Sequence, residues 1–215
     1  MRMMTKALLF GLLLSLPGGF ALAYEEPGYA VVKTYQEFEL RQYDAYLVAE
    51  TVVSGDFADV GGQAFRRLFN YISEANRPQG KIAMTTPVMQ QPMPAVTEQS
   101  AVNDVSQTVD NSYRFAFVMP AGYTLDDLPR PENAEVRIKS VAARLVAARR
   151  YSGTWSEERY RSNEQQLLAA VQAAGLKTLG APIFARYNAP FSLWFLRRNE
   201  ALVEVAALQE AQASP

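Results

Sequence analysis

The chain of 215 residues contains no cysteine and no histidine. Those two zeros remove disulfides, thiol nucleophiles, the usual zinc ligand sets, and Ser-His-Asp or Cys-His catalysis. A metal would need carboxylate, tyrosine, methionine or lysine ligands. Carboxylates adjoin at Asp126-Asp127 and at Glu157-Glu158. The first pair precedes Pro129 and reads as a turn. The second reads as the acidic first turn of a helix, where the macrodipole favours negative charge. Neither has a partner at a spacing suited to general acid–base work. Ser54-Gly55 and Ser152-Gly153 recur in matching segments. A nucleophile is needed once, so the duplication points to a turn requirement. Binding is therefore the expectation, with no catalytic residue assigned. A hydrolase using a cleft carboxylate or tyrosine is the enzymatic alternative.

Two segments gather aromatic and cationic side chains. Phe65 and Phe69 stand four apart, which places them on one helical face, with Arg66 and Arg67 beside them. Tyr187 to Arg198 carries Phe191, Trp194, Phe195, Arg197 and Arg198. Successive strand residues point to opposite faces, so at most one of Arg197 and Arg198 faces a given ligand. Each group also has a plain structural reading. The phenylalanines suit a packed helix, the arginines a solvated surface, and Asn199-Glu200 the orientation of the arginine pair. Met84, Met89 and Met93 suit gap-filling in a core.

The elements that must position these residues repeat. Leu47–Phe57 (LVAETVVSGDF) aligns without gaps on Leu145–Trp155 (LVAARRYSGTW), and at the same offset Phe38 and Leu40 match Val136 and Ile138. A helical pattern follows each copy. The first carries Val60, Ala64, Phe65, Leu68, Phe69 and Ile72, and the second Tyr160, Leu167, Leu168, Val171 and Ala174. Ser156 suits the N-cap of the second helix and Gly175 its stop. Gly61 and Gly62 weaken the first by about 1 kcal/mol each relative to alanine, which points to close backbone approach or a loose first turn. Strand-like runs follow at Lys81–Met89 and Tyr113–Met119, then at Ile183–Tyr187 and Trp194–Val205. The unit is ββαββ, used twice, with halves at about 30–120 and 130–205. The spacing predicts Phe57 and Trp155 in equivalent buried positions. Neither half holds a core of its own, so the two must close one sheet or barrel with both helices outside. Residues 90–112, polar and proline-broken, read as a flexible loop.

Residues 1–23 have the pattern of a secretory signal peptide. Arg2 and Lys6 precede an apolar run from Ala7 to Leu16, and Ala21-Leu22-Ala23 is an A-x-A cleavage site. The run is short for a bilayer core, which takes about 20 residues. The expectation is a periplasmic or secreted chain, cleaved after Ala23, with 24–215 forming one domain and no stable membrane anchor. Apolar residues make up 49% and charged residues 20%, enough for a packed core. A net charge of −1 gives no electrostatic case for nucleic acid.

Several segments resemble the SOUL heme-binding protein family: Tyr35–Tyr43, Val53–Phe57, Lys81-Ile82-Ala83-Met84-Thr85-Thr86-Pro87-Val88, Phe117–Pro120, Tyr151–Trp155, and Tyr187-Asn188-Ala189-Pro190 ahead of Arg197-Arg198-Asn199-Glu200. The resemblance spans about residues 27–205. It implies an α+β fold, a distorted β-barrel of two pseudo-symmetric repeats flanked by two helices. It also implies a cleft beside the first helix that binds heme or a related tetrapyrrole. A barrel of similar plan holds small apolar or cationic molecules in some transcription regulators, so another apolar ligand is the alternative. The candidate cofactor-binding residues are Phe65, Arg66, Phe69, Tyr187, Phe191, Trp194, Arg197 and Arg198, supplying apolar walls and cations for propionates. Ala189 stands where the family often has a proline. With no histidine, the axial ligand is expected to be weak or absent, and the remaining candidates are the three methionines, Tyr71 and Tyr187.

Overall fold

The computed structural model describes residues 24–73, 80–93 and 111–207. The apolar alternation forms β1 (Tyr29–Thr34), β2 (Glu39–Tyr43) and β3 (Tyr46–Ser54), followed by α1 (Phe57–Ser73), β4 (Val88–Pro92) and β5 (Ser112–Val118). The second series runs β6 (Arg137–Val141), β7 (Arg144–Tyr151), α2 (Glu157–Ala173), β8 (Thr178–Arg186) and β9 (Asn199–Val205). All pairs of strands are antiparallel, in the order β1-β2-β7-β9-β8-β4-β5-β3-β6.

That order explains why neither repeat stands alone. With β1 set aside as an added edge strand on β2, the units are β2-β3-α1-β4-β5 and β6-β7-α2-β8-β9, and in neither do the two strands before the helix pair with one another. β2 pairs with β7 of the other unit, and β6 pairs with β3. Each unit lends its first strand to its partner, and the two meet at the central β4–β8 pair. The duplicated turn also has a backbone cause. Gly55 and Gly153 lie at φ +142° and +126°, a region that L side chains rarely adopt.

Both helices pack on one face of the sheet. α1 buries Phe57, Val60, Ala64, Leu68, Tyr71 and Ile72 against β3 and β5. α2 begins at its Ser156 N-cap and packs Leu167 and Val171 on β2, β7 and β9. The opposite face buries Tyr43, Val48, Met89, Val118, Val146, Ile183 and Leu202 in a cluster with no helical member. Side chains on a helix-free face can leave water only if the sheet curls over them. The result is an α+β half-barrel with both helices outside, as expected.

Several boundaries differ from the sequence expectation. Gln90–Pro92 belongs to β4 and Ser112 opens β5, because Gln90 is held between Phe115 and Phe184 on the two neighbouring strands. The rest of the expected loop, 94–110, and the expected signal peptide, 1–23, lie outside the described residues. Lys81–Pro87 is irregular rather than a strand, with a bridge from Thr85 to Glu25 and a cis Thr86–Pro87 peptide. The last run also divides. Trp194–Leu196 forms a 3-10 turn, closed by the Arg197 N–H donating to the Trp194 carbonyl, and its large side chains find no sheet to cover. Phe57 opens α1 and is buried, whereas Trp155 precedes α2 and is only half-buried. The rings stacked on Phe57 from the second repeat are Tyr160, at 5.9 Å, and Phe184, at 6.2 Å.

Candidate functional site

On α1, the fully buried stripe leaves Phe65 and Phe69 at its edge. Phe65 is half-buried and Phe69 is 42% exposed. Their rings stack at 5.7 Å, and Phe65 meets Phe117 of β5 edge-on at 5.4 Å. An exposed aromatic pair pinned to the core at one end is a wall rather than a core element. It faces a cleft of about 380 Å³. The floor is Gly61, Val88, Phe115 and Trp155; Met84–Thr86 and Tyr187–Phe191 close the other side.

The cleft is charged at one point only. Among the described residues that line it, Arg186 is the sole ionisable group besides the phenols of Tyr24 and Tyr187. Arg186 lies on the helix face of β8, its guanidinium 4.6 Å from the Phe184 ring and 5.3 Å from Trp155. Its Nη2 donates to Gln90 Oε1. Burial in these apolar surroundings pulls its pKa down to about 10, which still leaves it charged at neutral pH.

A larger cavity of about 440 Å³ lies elsewhere, lined by Glu25, Glu26, Asp44 and Thr124 among others. Three carboxylates make it a poor place for an acidic ligand. The cleft beside α1, which has none among the described residues, is the better one.

Phe65, Phe69, Tyr187 and Phe191 all line this cleft, Phe191 at its rim and 89% exposed. Arg66, Trp194, Arg197 and Arg198 do not. Arg66 is exposed on α1. Trp194 is 54% exposed on the 3-10 turn. Arg197 ties its own loop together, donating to the carbonyls of Pro190 at 2.6 Å and Ser192 at 3.0 Å while lying 4.4 Å from the Trp155 ring. Arg198 is paired with Glu26 at 2.7 Å and Glu200 at 3.0 Å. Arg67 is likewise engaged, with Glu135 and the Val52 carbonyl. Arg67, Arg197 and Arg198 are held by carboxylates or carbonyls, and none of the four arginines lines the cleft.

Of the axial candidates, Met84 borders the cleft and Met89 is buried on the opposite face of the sheet. The Tyr71 hydroxyl donates to the Pro129 carbonyl. Tyr187 lends its ring to the cleft while its hydroxyl donates to Glu200 at 2.8 Å. Burial, then the neighbouring Glu200, hold that phenol well above its ordinary pKa, so it does not offer a phenolate.

Arg186 is not among the residues expected from sequence to line the cleft, whereas the close approach expected at Gly61 is present. The signal for Arg186 was present: it is the single charge in the apolar run Ile183–Tyr187, and alternation puts it on the same face as Phe184. What sequence could not supply was that this face meets Gly61 of α1.

Residues 24–204 match the family model described as SOUL heme-binding protein. Heme-binding protein 2 of Mus musculus is 27% identical over 179 residues, spanning 78% of this chain and 81% of the relative. The Homo sapiens protein of that name is 26% identical over 200 residues, spanning 86% and 91%. Among solved structures, the EcmrR C-terminal domain superposes with a TM-score of 0.60 at 10% identity, over 80% of this chain and 98% of that one. A Listeria innocua hydrolase gives 0.56 at 9%, over 81% and 94%. At those identities the two structures share the fold alone. By its match over residues 24–204, the chain belongs to the SOUL heme-binding protein family.

Proposed function

We propose that the chain binds heme or a related tetrapyrrole in the cleft beside α1, as an exported binder that scavenges, buffers or carries it. The observation that carries this reading is the cleft itself: an apolar slot walled by the stacked Phe65–Phe69 pair, with one arginine and no carboxylate among the described residues that line it. A tetrapyrrole is a flat apolar disc with acidic groups at one edge, and the two features match its two parts. The residues present fit the group. Phe65, Phe69, Val88, Phe115 and Trp155 would contact the ring, and Arg186 would meet a propionate.

Heme iron would supply ligand and redox chemistry that this chain barely engages, since Met84 offers only a weak thioether. The chain's own contribution is to bind, orient and shield a disc. Among the described residues the lining holds no carboxylate, which leaves the carboxylate form of a cleft hydrolase without its acid or base. Export rests on residues 1–23, whose basic start, apolar run and A-x-A site suit cleavage before Tyr24.

Titration of the purified protein with hemin, followed by absorbance, tests the reading. A saturable Soret change that Phe69→Ala weakens is the expected result. No saturable change, or one unaffected by the substitution, would sink it. Mass analysis of ligand retained from the native host separates a tetrapyrrole from another apolar ligand.

A further inference from the structure

Arg186 stands in an unusual electrostatic position. It has no carboxylate partner among the described residues, whereas Arg41, Arg67, Arg144, Arg149, Arg161 and Arg198 each have one. Its Nε is buried without an acceptor. It is not alone in this. Gln90 Nε2 and the hydroxyls of Tyr151 and Tyr160 are also buried and unpartnered.

Sheet register groups these atoms. Tyr151, Asn199 and Arg186 form one row across β7, β9 and β8. Gln90 lies opposite Phe184 on β4, one diagonal step from Arg186. The Tyr151 and Tyr160 rings both stack on Phe184, at 6.4 Å and 4.9 Å. The Gln90 amide is oriented by its bond to Arg186: Oε1 accepts from the guanidinium, which leaves Nε2 as a spare donor. The cluster is rich in donors and, among the described residues, holds no carboxylate bonded to them. Buried donors without acceptors are costly, and such a group calls for an anion or ordered water.

The backbone makes room for this arrangement. A Cβ on Gly61 would sit 3.4 Å from Arg186 Nη1. An alanine there would be in ordinary contact, but any longer side chain would reach into the guanidinium or the cleft above it. Gly61 thereby gives the weak first turn of α1 a reason.

We propose that Arg186 is the anion anchor of the cleft, receiving the free carboxylate of a flat apolar ligand that enters acid-first, with Gln90 as its positioning residue. This rests on the cleft being a ligand site, and it adds the ligand's polarity and direction. With one cation in the lining, one carboxylate is held inside. A second acidic group on the same ligand lies toward solvent.

The test compares matched acid and ester probes. Hemin is titrated against hemin dimethyl ester, and pyrenebutyrate against its methyl ester, by absorbance and fluorescence. The wild type should prefer each free acid by about tenfold or more, the worth of one charge-assisted hydrogen bond. Arg186→Gln should bind acid and ester alike. Gln90→Glu supplies a carboxylate in place and should also remove the preference, while raising the melting temperature because Arg186 is then paired. That variant keeps the test decisive if Arg186→Gln does not fold. Equal binding of acid and ester by the wild type overturns the anchor, as does a preference that persists in either folded variant. If hemin fails but pyrenebutyrate discriminates, the tetrapyrrole reading falls and the anchor stands. If hemin and its ester bind equally well, the anchor falls and the tetrapyrrole reading stands. If none of the four probes binds, both fall.

Discussion

Arg144 Nη2 donates to Tyr46 Oη at 2.8 Å across 98 residues of sequence, and that interval is the one relating Leu47 to Leu145 and Phe38 to Val136. The hydrogen bond thus joins the same position of the two repeats. Residues related by a pseudo-two-fold touch only near its axis. The contact lies on the helix-free face, where Arg144 also pairs with Glu204 at 3.2 Å. The repeat is therefore a packing device: each copy supplies half of an interior that neither encloses alone.

The cross-repeat core should be sensitive at Phe57. Its ring stacks on Tyr160 at 5.9 Å and Phe184 at 6.2 Å. Phe57→Ala is expected to cost about 3–5 kcal/mol, the usual loss for emptying an aromatic core site. Trp155→Ala should cost less, since Trp155 is half-buried. Urea unfolding of both variants measures the difference, and equal losses would contradict it.

The interior also holds a buried ionic cluster. Arg41 Nη1 lies 2.8 Å from Glu200 Oε2, and Arg198 and the Tyr187 hydroxyl complete the shell of Glu200. Burial would raise the Glu200 pKa, but the hydrogen bond and charge of Arg41, then Arg198 and Tyr187, outweigh it and hold the carboxyl below its ordinary value. The folded value is depressed, so the associated stability is full above about pH 4.3 and is lost as pH falls through the folded value. Glu200→Gln should flatten that acid limb. At neutral pH it should destabilise, but by less than the ~3–5 kcal/mol of a wholly unpaired buried charge, because Arg41 keeps Glu39 at 2.8 Å and Arg198 keeps Glu26. Thermal melts from pH 7 to pH 3 would show both effects; an unchanged acid limb would exclude Glu200 as its source.

Wall and ligand roles separate at Phe69 and Met84. Phe69→Ala removes a stacking wall and should weaken hemin, since an aromatic contact contributes about 0.5–1.5 kcal/mol beyond area. Met84→Ala should lower affinity only modestly and leave the Soret position in place. A Soret shift in Met84→Ala would instead make the thioether an iron ligand.

Export predicts a processed chain. Intact mass of protein from the periplasmic fraction should correspond to a first residue of Tyr24. Recovery of the full-length chain from cytoplasm would contradict cleavage after Ala23.

Much of this protein is determined by sequence alone. Side-chain alternation and the 3.6-residue period place β3, β5, β7 and both helices, and the ungapped alignment of residues 47–57 on 145–155 declares the duplication. These are local signals, carried by neighbours along the chain. The Phe65–Phe69 pair was legible for the same reason, since a four-residue spacing fixes a shared face before any packing is known. Strand exchange was not, because a pattern of alternation says which face a strand buries and nothing about which strand lies beside it. Tertiary structure alone decided that β2 joins β7 and β6 joins β3. It likewise decided which arginines are free. Arg197 and Arg198 look as available in sequence as Arg186 does. Among the described residues, folding brings carboxylates or carbonyls to the first two and Gln90, aromatic rings and Gly61 to the third. A side chain's charge is written in the sequence, but whether that charge is already neutralised depends on partners many residues away.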